Sequence, residues 1–460
     1  MKRLQRRLCK THSYYRAIGL GILMIALFSG CAGTKGTLSE GTLQGSLSVE
    51  STDVMSRKTA SASAESGQKE SDPADAGLEN AEGKSAQGQA ENALSESEEE
   101  AAGAGTEYRI VMVGDVLLHT PVEESCRKPD GSYDYDSLFT HTKDEISAAD
   151  LALVNQEVII GGSELGISGY PCFNADFSLC DTLVRTGFNV ICHATNHAMD
   201  KGRAGLVSCA QHWKEQYPQV TILGIHDTPD TATSCGADPV IIDLPELRIA
   251  VLNYTYGTNG IALPKDMPYA VDLLNEEQVA ADLCRAEELA DFTIVCPHWG
   301  TEYRLIPDAS QEKWVQVFLE NGADLVLGTH PHVIEPVEWV TDPENGHEML
   351  VYYSLGNFVN WTSGTGEGVA NRMVGGMAEI TIAKNEAGEA EITDYGVRPL
   401  VSHVTAGLGG VTTYFLEDYS KELEAANEIT LQDPGFSLEY CINLCDSVWG
   451  ELWRKSMPLE

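Results

Sequence analysis

Gly328-Thr329-His330-Pro331-His332 is the stretch that organises the rest of this 460-residue chain. It follows an apolar run, Ala323-Asp324-Leu325-Val326-Leu327, which predicts a buried strand bounded by glycines. Residues two apart in a strand point to the same face, so we expect His330 and His332 to aim their rings at one point just past the strand end. Such a pair is typical of a metal site. Alone, it is also compatible with two loop histidines that bind nothing.

Polar residues that bind hard or borderline metal ions follow four other apolar runs of the chain. These runs cover residues 108–114, 151–154, 188–192 and 292–296. In α/β proteins the strands form the scaffold, and the loops after their ends carry ligands and catalytic groups. We therefore predict one centre, whose candidate metal ligands are Asp115, Glu157, Asn196, His298, His330 and His332. Carboxylate, amide and imidazole ligands suit one or two divalent ions of Zn, Mn, Fe or Mg rather than a thiolate site.

Six motifs lie in order between residues 108 and 359. They are Gly114-Asp115, Asn155-Gln156-Glu157, Asn196-His197-x-x-Asp200-x-Gly202, His298-Trp299-Gly300-x-Glu302-Tyr303, Gly328-x-His330-Pro331-His332 and Tyr353-Ser354-Leu355-Gly356-Asn357-Phe358. Together they resemble the bacterial CapA-type capsule-synthesis family. The resemblance implies an α/β (α+β) fold, the four-layer αββα sandwich of the metallo-dependent phosphatase type. It also implies a part in the synthesis, export or anchoring of a poly-γ-glutamate capsule at the cell surface.

The resemblance also assigns roles to these residues. Glu157 would bridge two ions, with Asn196, His298 and His330 completing one metal site and Asp115 and His332 the other. His197 would either support the ligands or act as a leaving-group acid, and the implied catalytic residues are His197, Asp115 and Glu157. Residues that would support the ligands or touch substrate are Asn155, Asp200, Glu302, Tyr303, Ser354 and Asn357.

The chain departs from the metallophosphoesterase pattern at one position. That pattern has a histidine two residues after the first aspartate, where this chain has Leu117, and the nearest histidine is His119. The Asp115 side of the centre is therefore poorer in ligands. Single residues also have plainer interpretations, since Asp115 could cap a helix and Asn196-His197 could form a turn.

The first 105 residues predict a surface tether. Residues 1–16 are rich in Lys and Arg, and the apolar run 17–30 is short for a membrane-spanning helix. The small residues before Cys31 resemble a bacterial lipobox, so we expect a lipoprotein signal peptide over 1–30 and lipidation of Cys31, with an uncleaved N-terminal anchor as the alternative. Residues 31–105 contain no aromatic residue and predict a disordered acidic Ser/Ala/Gly/Glu tether. The following domain would then lie at the extracytoplasmic face of the cell membrane.

The charge of the chain narrows its partners. A formal net charge of -39 argues against nucleic acid. The lipid anchor implies the membrane as a partner, and the family resemblance implies poly-γ-glutamate or another anionic surface polymer with its membrane synthase. Ten of the twelve cysteines follow the tether and none forms a C-x-x-C pair, so a thiolate metal site is not indicated.

The remaining elements follow from local patterns. We expect the metallophosphatase-like domain over 106–404 and a C-terminal helical extension over 405–460, with helices over 414–428 and 436–455. A helix is predicted over 136–149, and hairpins are predicted over 240–253 and 377–395.

Three functions fit these features. The first is a cell-surface CapA-type protein with a metal-centred, hydrolase-like domain. The second is a non-catalytic accessory or adaptor of a membrane polymer synthase, which the lipid anchor, the tether and Leu117 favour. The third is a cell-envelope metallophosphoesterase unrelated to capsule.

Overall fold

The computed structural model describes residues 106–405, 407 and 409–456. The predicted signal peptide over 1–30, the lipidation site at Cys31 and the tether over 31–105 lie outside the described residues. Within the described part of the chain, no helix combines the length and the hydrophobicity that crossing a membrane requires.

The strands and helices alternate over most of the chain. In chain order the strands are β1 Tyr108–Val116, β2 Leu151–Asn155, β3 Val190–Cys192, β4 Thr221–Leu223, β5 Val240–Asp243, β6 Arg248–Thr255, β7 Phe292–His298, β8 Leu325–Leu327, β9 Val337–Thr341, β10 Glu348–Tyr352, β11 Asn357–Val359, β12 Val374–Lys384, β13 Ala390–Thr405 and β14 Gly410–Phe415. The α-helices are α1 Thr120–Ser125, α2 Lys143–Ser147, α3 Ser178–Thr186, α4 Gly202–Gln216, α5 Glu276–Leu289, α6 Ala309–Glu320, α7 Lys421–Ala426, α8 Leu438–Trp449 and α9 Leu452–Lys455.

These strands form two mixed sheets. The first has the order β14-β13-β12-β1-β2-β3-β4, with β11 also paired to β1, and the second has the order β5-β6-β7-β8-β10-β9. Strands β1 to β4 run parallel, and so do β6, β7, β8 and β10. Helices α3 and α4 provide the crossovers that parallel neighbours require. Each sheet therefore collects the carboxyl ends of several strands at one edge, where ligand sites form.

The two sheets pack face to face. Cys296 on β7 lies 3.9 Å from Met112 on β1, sulfur to sulfur. Successive residues of β7 alternate between two cores, because Ile294 and Cys296 pack toward the first sheet and Val295 packs with α5 and α6. This period of two is what a strand covered on both faces requires. The predicted αββα sandwich is confirmed, and the C-terminal helices α8 and α9 are present.

Two of the predicted helices differ from the structure, and both predicted hairpins are confirmed. The segment 136–149 forms only a 3-10 turn at Asp136–Leu138 and the short α2, because Thr142 donates its hydroxyl to the Phe139 carbonyl and competes with the helix. The segment 414–428 begins as the end of β14, whose residues alternate in burial and pair with β13. The hairpins are β5–β6 and β12–β13.

The C-terminal part of the chain is joined to the loop after β8. Strand β12 pairs antiparallel with β1 from Tyr108 opposite Ile382 to Val113 opposite Met377. The indole Nε1 of Trp449 on α8 donates to the Glu335 carbonyl over 3.0 Å. Residues beyond β11 therefore support the segment that carries the two histidines.

Gly328 ends β8 in a position that admits no side chain. A Cβ there would lie 2.1 Å from the Tyr353 carbonyl oxygen and 2.6 Å from Trp299 Nε1. We expect Gly328→Ala to lower the free energy of unfolding by at least about 2 kcal/mol, as overpacking of a core does. The urea midpoint of the full-length chain measures this. Gly410→Ala is the matched control, because a Cβ at Gly410 has no neighbour within 4 Å. Equal midpoints for the two variants would contradict the expectation.

Candidate metal centre

The candidate ligands lie where strands of both sheets end. Asp115 is the next-to-last residue of β1, Glu157 follows β2, Asn196 follows β3, and His298 is the last residue of β7. His330 and His332 follow β8. All six are buried, with exposed fractions between 0% and 5%. The structure thus brings together the residues that the strand-end pattern selected from five separate parts of the chain.

His330 and His332 converge by a different route from the one expected. Strand β8 ends at Leu327, and the two histidines lie in the following loop with φ angles of 100° and 59°. Left-handed backbone is costly for residues other than glycine, about 1 to 3 kcal/mol for each, and persists only where the surroundings impose it. The Asp115 carboxylate accepts a hydrogen bond from the His330 amide at 3.3 Å. Strand alternation is therefore the wrong reason for their convergence; a strained loop turns both rings inward.

Three imidazoles surround one oxygen of Glu157. Its Oε1 lies 3.6 Å from His332 Nε2, 3.9 Å from His298 Nε2 and 3.9 Å from His197 Nε2. These distances are too long for hydrogen bonds. They are close to the spacing of roughly 3.4 Å between two ligand atoms that each bind a tetrahedral ion at about 2.1 Å. Ligand atoms of Glu157, His330 and His332 all lie within 4.8 Å of one another.

The centre contains buried polar atoms that no protein group satisfies. Among the described residues, neither carboxylate oxygen of Glu157 has a hydrogen-bond partner, nor does His330 Nδ1 or Asn155 Oδ1. Buried polar atoms are nearly always paired, and an exception calls for an explanation such as an ion. A carboxylate and neutral imidazoles form a donor set that Zn, Mn or Fe accepts. The residues present therefore fit a divalent cation.

The electrostatic environment keeps two of the candidate ligands, His298 and His330, in the neutral form that binds metal. Burial lowers the pKa of His298 and of His330 well below the usual value, and neighbouring histidines add to the effect. Both rings are therefore neutral, as a metal ligand must be. Burial raises the pKa of Glu157 well above its usual value, although the His332 charge opposes this. Burial also disfavours the charged form of His332, but Glu157 and Asp115 outweigh it and raise the pKa of His332 to about 10.

Asp115 and Asn357 hold the His332 ring. Asp115 Oδ2 lies 3.1 Å from His332 Nδ1, and Asn357 Oδ1 lies 3.1 Å from the same nitrogen. The other Asp115 oxygen accepts from Asn155 Nδ2 over 2.8 Å. Both Asp115 oxygens thus have protein donors, whereas those of Glu157 have none. Among the described residues, the cluster of ligand atoms that lie within 4.8 Å of one another is that of Glu157, His330 and His332. The division of His330 and His332 between two ions stays a prediction.

His197 is oriented by Asp200. The Asp200 Oδ2 atom lies 2.7 Å from His197 Nδ1 and accepts the Phe173 amide, also at 2.7 Å. The opposite ring nitrogen faces Glu157. A carboxylate on one side of an imidazole fixes its tautomer and its orientation, so the Nε2 side is directed at the centre.

The remaining predicted supporting residues lie in three places. Asn155 contacts the His298 ring at 3.3 Å, and so does the predicted ligand Asn196, whose Oδ1 lies 3.1 Å from His298 Nε2. Ser354 lies one layer out and donates to the Val333 carbonyl. Glu302 and Tyr303 are at the mouth, where Tyr303 is 46% exposed and its ring centre lies 6.0 Å from that of His332.

Three residues at the site were missed or left without a role. His119 and His197 both contact the ring of Phe173, with ring centres 5.3 Å and 4.7 Å from it. Tyr256 has its ring 4.7 Å from His330, and Arg372 stacks on Tyr303. The strand-end rule could have found Tyr256, because it follows β6 directly. Arg372 comes from a 3-10 turn, Val369–Met373, for which the sequence gives no ligand signal.

A buried carboxyl supports the helix that follows His119. Glu123 on α1 is 3% exposed, and it accepts the Tyr135 hydroxyl over 2.6 Å. Burial raises the pKa of Glu123 to about 8.

We expect this pKa to make stability depend on pH. The folded chain binds this proton more tightly than the unfolded chain, so stability is full below about pH 4.5 and falls as pH rises toward 8, by about 1.4 kcal/mol per pH unit at most. Glu123→Gln should therefore gain stability relative to the native chain across pH 5 to 8. Urea midpoints measure the difference. The exposed neighbour provides the control, since Glu124→Gln should show no such trend.

Solved structures of low similarity include two enzymes. A phosphatase from Mycoplasma pneumoniae aligns with a TM-score of 0.38 at 13% identity, covering 65% of this chain and 94% of that chain. The NAD nucleotidase NadN of Haemophilus influenzae aligns with a TM-score of 0.40 at 13% identity, covering 65% of this chain and 58% of that chain.

Sequence comparison gives two capsule-related relatives and a family. The chain is 26% identical over 288 residues to the PGA biosynthesis protein CapA of Bacillus subtilis strain 168, covering 61% of this chain and 69% of that protein. It is 25% identical over 265 residues to the capsule biosynthesis protein CapA of Bacillus anthracis, covering 55% of this chain and 60% of that protein. The family model described as bacterial capsule synthesis protein PGA_cap matches residues 109–362, which is more than half of the sequence. The chain therefore belongs to the PGA_cap family of bacterial capsule synthesis proteins.

Proposed function

We propose that this chain acts in the synthesis, export or anchoring of a capsule polymer of the poly-γ-glutamate type, through a metal-dependent hydrolase centre. Membership of the PGA_cap family and the names of the two relatives support the capsule role. The observation that carries the hydrolase centre is the Glu157 carboxylate, buried without a partner and surrounded by imidazole nitrogens. Glu157, His298, His330 and His332 would hold the ion.

Each residue of the centre would have a separate role in the reaction. A divalent cation at this centre would supply a Lewis acid next to the bond that breaks. His197 would donate a proton from Nε2 to the departing oxygen or nitrogen, because Asp200 fixes its other nitrogen. Asp115 and Asn357 would keep His332 in place. Tyr256 and Tyr303, both half exposed, would line the entrance.

The cellular location of the chain is part of this proposal. Lipidation of Cys31 would attach the chain to the membrane, and residues 31–105 would let the domain reach polymer outside it. A strongly acidic protein that handles an anionic polymer needs local positive charge, and a metal ion bound at the centre would supply it.

The test combines metal content with a substrate panel. Full-length protein purified after growth with Zn or Mn should contain stoichiometric metal by elemental analysis. It should hydrolyse at least one member of a panel of phosphomonoesters, phosphodiesters and γ-glutamyl peptides. Protein that holds no metal, and takes up none from added Zn or Mn, would rule out the hydrolase centre.

The adaptor function is the second candidate, and Leu117 favours it. This position lacks the histidine of metallophosphoesterases, and Leu117 is buried at 6% exposure. Cells that carry both Glu157→Ala and His330→Ala separate the two candidates. Loss of polymer with the protein still present supports the metal centre, whereas unchanged polymer supports the adaptor. Hydrolysis confined to simple phosphodiesters, with polymer unaffected, would instead support an envelope phosphoesterase.

A further inference from the structure

One cationic side chain lies at the mouth of the centre in a fixed position. The guanidinium carbon of Arg372 is 3.7 Å from the centre of the Tyr303 ring, and Nη1 donates to the Thr362 hydroxyl over 3.2 Å. Arg372 is half-buried and Thr362 is buried. Stacking and a hydrogen bond together remove much of the freedom of a long side chain, so this charge is held in place before any ligand arrives.

The backbone of Arg372 is tied to the same residue that holds His332. Asn357 Nδ2 donates to the Arg372 carbonyl over 2.9 Å and to the His332 carbonyl over 3.0 Å. On the side-chain side, the Tyr303 ring neighbours both groups, because its centre lies 3.7 Å from the guanidinium carbon of Arg372 and 6.0 Å from the centre of the His332 ring. Contacts through Asn357 and through Tyr303 thus link the cation to a candidate metal ligand.

This cation has no acidic partner in the part of the chain that the structure describes. No carboxylate oxygen of the described residues lies within 4.0 Å of the Arg372 guanidinium. The chain has 69 acidic residues against 30 Lys and Arg, so an unpaired arginine at this depth is unexpected. Arg398, which is also partly buried, contacts the carboxylates of Glu145, Glu379 and Glu417. A half-buried guanidinium loses hydration, and an oxyanion ligand would replace it.

One acidic residue affects the polarity of the mouth. Glu302 is exposed beside Tyr303, and its charge opposes the binding of an anion there.

We propose that Arg372, with Tyr303 beside it, forms a subsite that binds an oxyanion of the substrate next to the metal centre. The oxyanion is a carboxylate, as a γ-glutamyl chain carries, or a non-reacting phosphoryl group. This inference rests on the proposed function for the adjacent centre, but the subsite itself is built from other residues. Arg372 is a binding residue that fixes where the substrate lies, and no bond is made or broken on it.

Anion titrations test the subsite. Full-length chain loaded with Zn is titrated by calorimetry with inorganic phosphate and, separately, with γ-glutamyl-glutamate. At least one probe should bind, and Arg372→Met should weaken its binding about tenfold, the effect of losing a charge-assisted pair. Arg372→Lys keeps the charge without the planar fork, so it should lose about half of this effect on a logarithmic scale. Glu302→Gln should strengthen binding by about twofold to fivefold because it removes an opposing charge. The stronger of the two probes identifies the source of the oxyanion.

The matched control is Arg304→Met, which removes the same charge from an exposed position next to Tyr303. It should change binding less than about twofold, since exposed charges are screened. Equal losses in Arg304→Met and Arg372→Met would overturn the subsite, because they would indicate only long-range attraction. Unchanged binding in Arg372→Met would overturn it as well, and so would native chain that holds Zn but binds neither probe.

Metal content and folding are measured on every sample. If circular dichroism shows that Arg372→Met is unfolded, the anion titrations are made with Tyr303→Leu, which removes the exposed aromatic ring, and with Arg372→Lys. The same outcomes then support or overturn the subsite. Chain that takes up no Zn would contradict the proposed hydrolase centre; phosphate titration of that metal-free chain and of its Arg372 variants then decides the subsite on its own.

Discussion

Glu157→Gln should destabilise the chain when metal is present and stabilise it when metal is removed. Without metal, the native carboxylate is buried with neither oxygen paired, which costs about 1 to 3 kcal/mol. The amide carries no charge, so it avoids the part of this cost that comes from burying a charged group, which is also what raises the pKa of Glu157. His332 keeps Asp115 at 3.1 Å as its counter-charge, so the substitution leaves no isolated buried cation. With metal at about 100 times its dissociation constant, the native chain gains about 2.7 kcal/mol that the variant lacks.

Urea midpoints in chelator and in excess Zn measure this change of sign. Elemental analysis should show metal in the native chain and none in the variant. Glu302→Gln is the control, because Glu302 is an exposed carboxylate at the same site and should shift both midpoints by less than about 0.5 kcal/mol. A shift of the same sign in both conditions would contradict a metal ligand role for Glu157.

His197→Gln should lower turnover of the best substrate by a factor of about 10² to 10⁴ while metal content stays unchanged. The ring would supply the proton that the leaving group takes, and glutamine cannot supply it. Asp200→Asn should lower turnover by about 10- to 100-fold, because it releases the ring that Asp200 holds at 2.7 Å.

Leaving-group dependence distinguishes a proton donor from a structural residue. For His197→Gln, the loss should be largest with poor leaving groups and nearly absent with an acidic phenol that departs without protonation. His141→Gln is the control, since His141 is exposed and stacks on Tyr414. A uniform loss across leaving groups would show that His197 only shapes the centre.

The strand-end pattern predicted the centre because topology, more than local detail, places those residues. Parallel strands bring their carboxyl ends to one edge, so Glu157, Asn196 and His298 could be placed together without knowing a single side-chain contact. The left-handed backbone at His330 and His332 could not be predicted, because it is imposed by contacts such as the one from Asp115. The alternation rule therefore predicted the convergence of the two rings, but for the wrong reason.

Residues whose role depends on tertiary contacts alone escaped prediction. Arg372 lies in a 3-10 turn and reaches the site through Tyr303, which is 69 positions earlier in the chain. The predicted helix over 414–428 failed for a related reason. Its first residues belong to β14, where Val411, Thr413 and Phe415 alternate inward and β13 supplies the pairing partner.

The pairing of β1 with β12 determines the shortest fragment of this protein that can be expressed alone. The family match ends at residue 362, whereas β12 begins at Val374. A fragment cut at the end of the match would leave Tyr108 to Val113 of β1, a buried apolar strand, without its β12 partner, as an open edge that invites self-association. It would also lose the indole that holds the loop of the two histidines. The evolutionary signature of the family is thus shorter than the folding unit that contains it, and expression trials should retain α8.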